Sequence, residues 1–451
     1  MPAKLRGGPE PVHINDPLRA LRAEGEAGSV FSCLAQRQRR AYPLPVPSAP
    51  MTPARRFELI VLFGVLTVFT PIAVDLYMPA FPAIAREFGT PISAVEHSLA
   101  AYFLGIAIGQ AAIGPLSDRY GRRWPLLLGL LLYALGSAAC ALAPGPLALD
   151  AARLLQALGG CAGSVLARAC VRDIFPPGEA ARIFAQMLLI LSVSPLFAPL
   201  LGGWLLLVSD WRMGFWIQCL LALLTVIVMV FRLPESHPGS DRTLNPLTVA
   251  RDYWHILKNR HFYAYVTPVL LSCCGLYVWL TGWSHVAIQM FGVSPQNFGY
   301  TFLLNGIGLV VTSQLVAHWL KRRPARLFFT GAIAIQAAAS VLALAFAWGG
   351  WGGLWGLLPF TFLYCALIGV VNSTGGGLAM TEFGHSAGMA SAMMGIMIYA
   401  GGFAGSLAMG AIPAQTPVPM ALLMCLCGLT ALVAAIRLKP FLPAPASAKG
   451  H

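Results

Sequence analysis

Gly114-Pro115-Leu116-Ser117-Asp118-Arg119-Tyr120-Gly121-Arg122-Arg123 is a short basic turn wedged between two long apolar runs, and its composition decides the fold. Gly114 and Gly121 permit a sharp reversal that a side chain would resist. Asp118 suits either a helix N-terminus or a neighbouring guanidinium. Arginines alone would mark an ordinary connection between membrane helices. The spacing of Asp and Gly within it asks for a built turn.

On both sides of this turn, apolar stretches alternate with short polar connections. The spans fall near 57–80, 94–115, 124–143, 147–170, 183–206 and 213–232, then 262–284, 298–320, 326–347, 353–377, 388–411 and 418–437. Each can cross a hydrocarbon core of about 30 Å, which takes about 20 helical residues. The expected fold is therefore an all-α integral membrane protein with twelve transmembrane helices. The longest connection, LPESHPGSDRTLNPLTVARDYWHILKNRH, divides it into two six-helix bundles, 57–232 and 262–437, joined by a central loop at 233–261. Residues 1–56 read as a disordered basic tail ending in a proline-rich run, and 438–451 as a second tail. No cleavable signal peptide is expected at the start, and Met51, followed by a basic flank and an apolar run, is a second candidate start.

Composition agrees with a membrane location. Of 451 residues, 57% are apolar and only 10% charged, where a soluble domain carries about 25% charged residues. The net charge of +13 lies in short clusters between apolar runs, which argues against a nucleic-acid partner. The ten cysteines fall mostly inside apolar stretches without a CxxC pair or a Cys/His ligand spacing, so neither a disulfide framework nor a metal site is expected. Lys and Arg near helix ends are retained on the cytoplasmic side. Arg119, Arg122, Arg123, Arg172, Arg182, Arg242, Arg251, Lys258, Arg260, Lys321, Arg322, Arg323 and Arg326 occupy alternate connections, and the opposite ones hold essentially Arg86 and Arg212. Both termini, both tails and the central loop are thus expected in the cytoplasm.

The turn after span 2 resembles the signature loop of the major facilitator superfamily. Three further segments narrow the likeness: Val74-Asp75-Leu76-Tyr77-Met78-Pro79-Ala80-Phe81-Pro82 in span 1, Arg153-Leu154-Leu155-Gln156-Ala157-Leu158-Gly159-Gly160 in span 4, and Ser194-Pro195-Leu196-Phe197-Ala198-Pro199-Leu200-Leu201-Gly202-Gly203-Trp204 in span 5. Together with Trp211-Arg212 and Phe215-Trp216, they resemble the Bcr/CflA, bicyclomycin-resistance type of drug:proton antiporter, from Phe57 to about Arg437. The resemblance implies two bundles around a cavity that opens alternately to either side of a bacterial inner membrane. It also implies a gating role for Gly114, Asp118, Arg119, Gly121, Arg122 and Arg123 on the cytoplasmic side. A bend in span 5 at Pro195, Pro199, Gly202 and Gly203 follows from it too. The chain departs from the pattern at Ala198-Pro199, where antiporters usually place Gly, and in HWLKRRPAR after span 8, which lacks the Asp and Gly.

An ionisable residue inside hydrocarbon costs about 2.5 to 3.5 kcal/mol on insertion scales and is a functional candidate by default. Asp75 and Arg153 are the two clear cases. At about 1.5 Å per residue they reach similar depth from opposite directions, so an ion pair between them is expected. One reading is a static pair. The favoured one is a proton switch in which Arg153 holds the Asp75 carboxylate, with Gln156, one turn on, orienting the guanidinium. Tyr102, Gln186, Asn305, Asn372 and Tyr399 are candidates for lining a cavity, with interhelical hydrogen bonding as the alternative for each. Trp279, Trp283 and His285 read as an aromatic belt near the end of span 7.

No phosphate-binding GxxxxGKS segment and no paired nucleophile and base appear, so neither ATP as energy source nor an enzyme is expected. The expected function is export of small drug-like molecules in exchange for protons, with no cofactor beyond the proton gradient. The partners are small-molecule substrates, protons and the lipid bilayer, and the protein is expected as a monomer. A specific metabolite exporter or a proton-coupled uptake symporter would use the same residues. A receptor or membrane enzyme would need neither a buried titratable pair nor a gating turn.

Overall fold

A computed structural model of the chain describes residues 52–237, 246–320, 322–383, 387–412 and 415–438. Of the predicted tails, 1–56 and 438–451, only residues 52–56 and 438 are among them. The first membrane helix is α1, Pro53–Asp75, which starts where Thr52 accepts a hydrogen bond from the Arg55 amide at 3.3 Å, with Pro53 in the first turn. The expected tail at 53–56 is therefore helical. A single-turn 3₁₀ helix at Met78–Ala80 and the short α2, Phe81–Phe88, continue the span. The hydropathy predicts an unbroken helix to residue 80. Pro79 prevents this, because its ring would meet the carbonyl four residues back, that of Asp75, and it has no amide hydrogen to donate. Asp75 is the last residue of α1 for that reason.

The remainder of the first half comprises α3 (Ile92–Tyr120), α4 (Arg123–Ala141), α5 (Pro146–Ile174), α6 (Pro177–Val208) and α7 (Arg212–Arg232). Next comes α8, Pro246–Lys258, so the predicted central loop contains a helix. The second half comprises α9 (Arg260–Ser284) with a π-helical extension at His285–Met290, α10 (Pro295–Trp319), α11 (Ala325–Gly349), α12 (Gly353–Ala366), α13 (Ile368–Met380), α14 (Ala387–Gly410) and α15 (Val418–Arg437). Among the described residues, eleven segments are long and apolar enough to span a bilayer, counting α1 with α2, α9 with its extension, and α12 with α13 as one each; α6, with its shorter apolar stretch Ser194–Val208, completes twelve.

Within the first half, α5 packs against α3, α4 and α1, and α1 against α6; within the second, α9 packs against α13, α14 and α15, and α11 against α12 and α15. The halves meet along two seams, α3 with α14 and α6 with α10. Outward faces are apolar: Leu220, Leu224, Ile227 and Phe231 form an exposed stripe at helical spacing on α7, as a lipid-facing surface requires. Small residues set the seams. A Cβ on Gly203 would collide with the Pro295 carbonyl of α10, so the backbones touch there. One end of the bundle carries the Gly114–Arg123 turn and is called the turn end; the opposite one is the far end.

Candidate functional site

Arg153 on α5 is fully buried in the first half. Its guanidinium carbon lies 4.2 Å from the Tyr102 ring centroid, 4.7 Å from that of Tyr77 and 5.7 Å from that of Phe215. Ring faces are negative, and a desolvated cation gains about 2 kcal/mol from each good contact. Nη1 donates to Gln156 Oε1 at 2.6 Å, as expected of Gln156, while Nε and Nη2 make no hydrogen bond. Gln156 Nε2 donates in turn to Ser137 Oγ at 2.8 Å and to Gln218 Oε1 at 3.0 Å, and the Tyr133 hydroxyl donates to Gln218 Oε1 at 2.8 Å. These hydrogen bonds tie α4, α5 and α7 to one cation, and the Tyr102 ring adds α3. Tyr77 shares its hydroxyl hydrogen bond with Ser98 Oγ at 2.8 Å, and the Tyr102 hydroxyl donates to the Thr70 carbonyl at 3.2 Å.

The expected Asp75–Arg153 ion pair does not form. Neither residue takes part in any of the salt bridges among the described residues, which all involve other groups. Depth along the membrane normal says nothing of azimuth, and two residues on from the end of α1 it is Tyr77 that reaches the guanidinium. Asp75 is itself buried, 5% exposed, at the helix break.

The turn itself is a closed polar knot. Arg122 Nη1 donates to Asp118 Oδ1 and Ser117 Oγ, each at 2.6 Å, and Nε donates to Asp173 Oδ2 of α5 at 2.9 Å. Burial acts to lower the Arg122 pKa, but the bonds to Asp173 and Asp118 outweigh it and hold it above the ordinary arginine value. Gly121 has φ +83°, and a Cβ there would press on the Glu235 carboxyl at 2.8 Å. Glu235 caps α4, accepting from the Arg122 amide at 2.7 Å and the Arg123 amide at 3.2 Å. Arg119 lies over the Tyr120 ring, and Gly114 faces open space.

The expected bend residues stay within a continuous α6, where Pro195 and Pro199 are both internal; Gly202 lets the helix approach the Leu76 carbonyl just beyond the α1 break. Of the expected cavity residues, Tyr399 stacks with Phe103 across the α3/α14 seam at 6.4 Å and packs on Tyr277. Asn372 accepts from Cys273 Sγ at 3.5 Å, a bond between α13 and α9. Asn305 is buried and donates back to the Thr301 carbonyl of its own helix. Gln186 is exposed on α6. Trp279 and Trp283 do not form a belt: both are buried and stacked at 5.6 Å, and Trp283 Nε1 donates to Thr301 Oγ1 at 3.0 Å, joining α9 to α10.

Sequence reasoning passes over Tyr77, Phe215, Gln218, Asp173, Glu235 and Glu96 as site residues. Tyr77 and Phe215 stand in the motifs quoted above and carry the signal. Glu96, four residues into α3, is masked by its position near a span boundary, where charges are usually interfacial.

The description Major Facilitator Superfamily matches residues 63–406, and the chain belongs to that superfamily. It is similar to an uncharacterised MFS-type transporter, YdgK, of Bacillus subtilis, at 34% identity over 83% of this chain and 93% of the relative. It is also similar to the bicyclomycin resistance protein homolog of Haemophilus influenzae, at 29% identity over 82% and 93%, and to multidrug resistance protein D of Escherichia coli, at 25% over 76% and 85%. The crystal structure of a D-xylose-proton symporter superposes with a TM-score of 0.67 at 16% identity, covering 86% of this chain and 98% of that one, which fixes the fold. The chain is thus a multi-pass membrane transporter with the twelve-helix architecture expected from its sequence.

Proposed function

We propose that this transporter exports small drug-like molecules from the cell in exchange for protons, without a chemical step on the substrate. The names of the relatives, bicyclomycin resistance and multidrug resistance, support the substrate class. One observation carries the coupling: Asp75 is buried at the break of the first membrane span with no ion pair to a cation. It can therefore take up or release a proton without rupturing a salt bridge. Tyr77, two residues away, lies over Arg153, so a change at Asp75 reaches the cation network through this short non-helical segment. In the working cycle Asp75 exchanges its proton when the first span is hydrated from one side, and the substrate competes for the hydrated, ionised form.

The turn end is cytoplasmic in this reading, with both termini inside a bacterial inner membrane. The arginines gathered at that end support it, since the far end holds only Arg86 and Arg212, the latter paired with Glu87 at 2.6 Å. The Arg122 knot is read as the latch that opens and closes the inner side, and the protein as a working monomer. Purified protein in vesicles with an imposed pH gradient tests the coupling. Asp75→Asn is expected to abolish pH-driven export while the protein stays folded and inserted. Undiminished proton-driven export by that variant would refute the role of Asp75, and accumulation in the same direction as protons would refute exchange.

A further inference from the structure

At the far end a cavity of about 460 Å³ lies between the halves, walled by α2 and the start of α3 on one side and by the π-helical extension of α9 and the end of α14 on the other. It is distinct from the Arg153 network, none of whose residues lines it. Glu96 of α3 does line it; this residue is 2% exposed, and its Oε1 accepts no hydrogen bond. No salt bridge among the described residues includes Glu96. A buried carboxylate costs several kcal/mol unless a cation or a set of donors meets it. Met409 and Ile412 supply an apolar wall from the second half, while Thr90, Ser93, His285, Gln289 and Gln415 add polar groups. Arg86 also lines the cavity but turns its Nε to the Pro82 carbonyl of its own helix at 3.3 Å.

We propose that this cavity is a second binding site, selective for an organic ammonium ion whose N–H donates to Glu96 while its apolar body rests on Met409 and Ile412. The volume lies within the range of about 300–1,000 Å³ for small-ligand sites. A bare metal ion does not suit it, because the described residues contain no group of three or more His, Cys, Asp or Glu able to hold one. An anion is refused by the carboxylate. Given the export reading, on which its place in the cycle rests, this is the last stop on the outward route. The ammonium can belong to a free amine or to an aminophospholipid headgroup.

The test uses full-length protein in phosphatidylcholine vesicles, irradiated with a diazirine-bearing secondary alkylamine, with adducts located by mass spectrometry. Adducts are expected on the peptides holding Ile92–Glu96 and His285–Gln289. Glu96→Gln should reduce them by about tenfold or more, the loss expected for one charge-assisted hydrogen bond. Ile412→Trp, which narrows the cavity and leaves the carboxylate, should reduce them as well, and the matching diazirine alcohol should label both Glu96 forms alike. Added phosphatidylethanolamine that competes the adducts away assigns the site to the headgroup; unchanged labelling assigns it to free amines. Equal amine labelling of wild type and Glu96→Gln, or adducts only outside the cavity, overturns the proposal. Binding is read without a pH gradient, so it can fail while Asp75-dependent export stands, and the reverse.

Discussion

The two halves are built on one plan and differ in where they keep charge. In the first, the Tyr133 hydroxyl shares its proton between Gln218 Oε1 at 2.8 Å and, more weakly, the Phe69 carbonyl of α1 at 3.3 Å; in the second, the Tyr364 hydroxyl donates to the Ser272 carbonyl of α9 at 3.0 Å. Each half also places a buried glutamine between helices. Gln156 accepts from Arg153, whereas Gln336 accepts from Ser272 Oγ at 2.6 Å and donates to the Tyr364 carbonyl at 2.9 Å. The same clasp is thus charged on one side and neutral on the other. From residue 262 onward the only acidic side chain is Glu382, which lies 3.2 Å from His261 near the turn end. The buried ionisable side chains Asp75, Glu96, Arg122 and Arg153 all lie in the first half, whereas the second keeps its one acidic group paired with a histidine near the turn end.

The largest way to break this contrast is to weaken the cation. Arg153→Lys keeps the charge but loses the planar stack on Tyr102 and Tyr77. With about 2 kcal/mol for each of two desolvated contacts, export in vesicles should fall by roughly a hundredfold or more per folded molecule. Wild-type rates in that variant would remove the arginine from the mechanism.

Next comes packing around the two clasps. A Cβ on Gly136 of α4 would lie 2.9 Å from the Cβ of Gln156 and closer still to its backbone, which cannot turn away. A Cβ on Gly428 of α15 would meet Ser340 Oγ at 2.7 Å, the end of a side chain that can rotate. Gly136→Ala should therefore destabilise by about 2 kcal/mol and Gly428→Ala by clearly less, given the usual range for overpacking. Thermal melts of the two variants in one detergent measure the difference. Equal shifts would show that the charged clasp is no more rigid than the neutral one.

Much of this architecture is legible in the amino-acid sequence. Apolar runs and basic connections give the helices, because bilayer thickness and the positive-inside rule act on sequence directly. Asp75, Arg153 and Gln156 stand out because charge and amide groups are rare in hydrocarbon. Their mutual geometry is not legible: two residues at one depth can face different ways, and a proline four residues beyond Asp75 has to be read as a helix stop rather than as a tolerated kink. Glu96 escapes because a charge near a span end looks interfacial until the opposite half is packed over it. The Glu235 cap joins positions more than a hundred residues apart, a distance no local pattern bridges.

The two basic turns differ as the halves do. Glu235 and the Arg122 knot order the first, while among the described residues Arg322 and Arg323 of the second only continue the helix with amide bonds to the Trp319 carbonyl. Glu235→Gln retains the side-chain shape but removes the charge facing the α4 N-terminus, so a loss of about 1 kcal/mol is expected, with faster hydrogen exchange confined to the first turn of α4. Exchange that spreads through α5 as well would mean that the cap and the Asp173 contact act as one unit.

The smallest effect should come from the neutral clasp. In Gln336→Met the Ser272 hydroxyl loses its acceptor and the Tyr364 carbonyl its side-chain donor, but a serine in a helix can turn to a carbonyl of the preceding turn, and the Tyr364 hydroxyl still holds α9 to α12. Methionine fills nearly the same volume and adapts to irregular gaps. The net cost should be about 0.5 to 1 kcal/mol, the worth of one ordinary hydrogen bond, with export within about twofold of wild type. A loss of export matching that of Arg153→Lys would show that the second half takes part in coupling, and that charge is not what separates the two bundles.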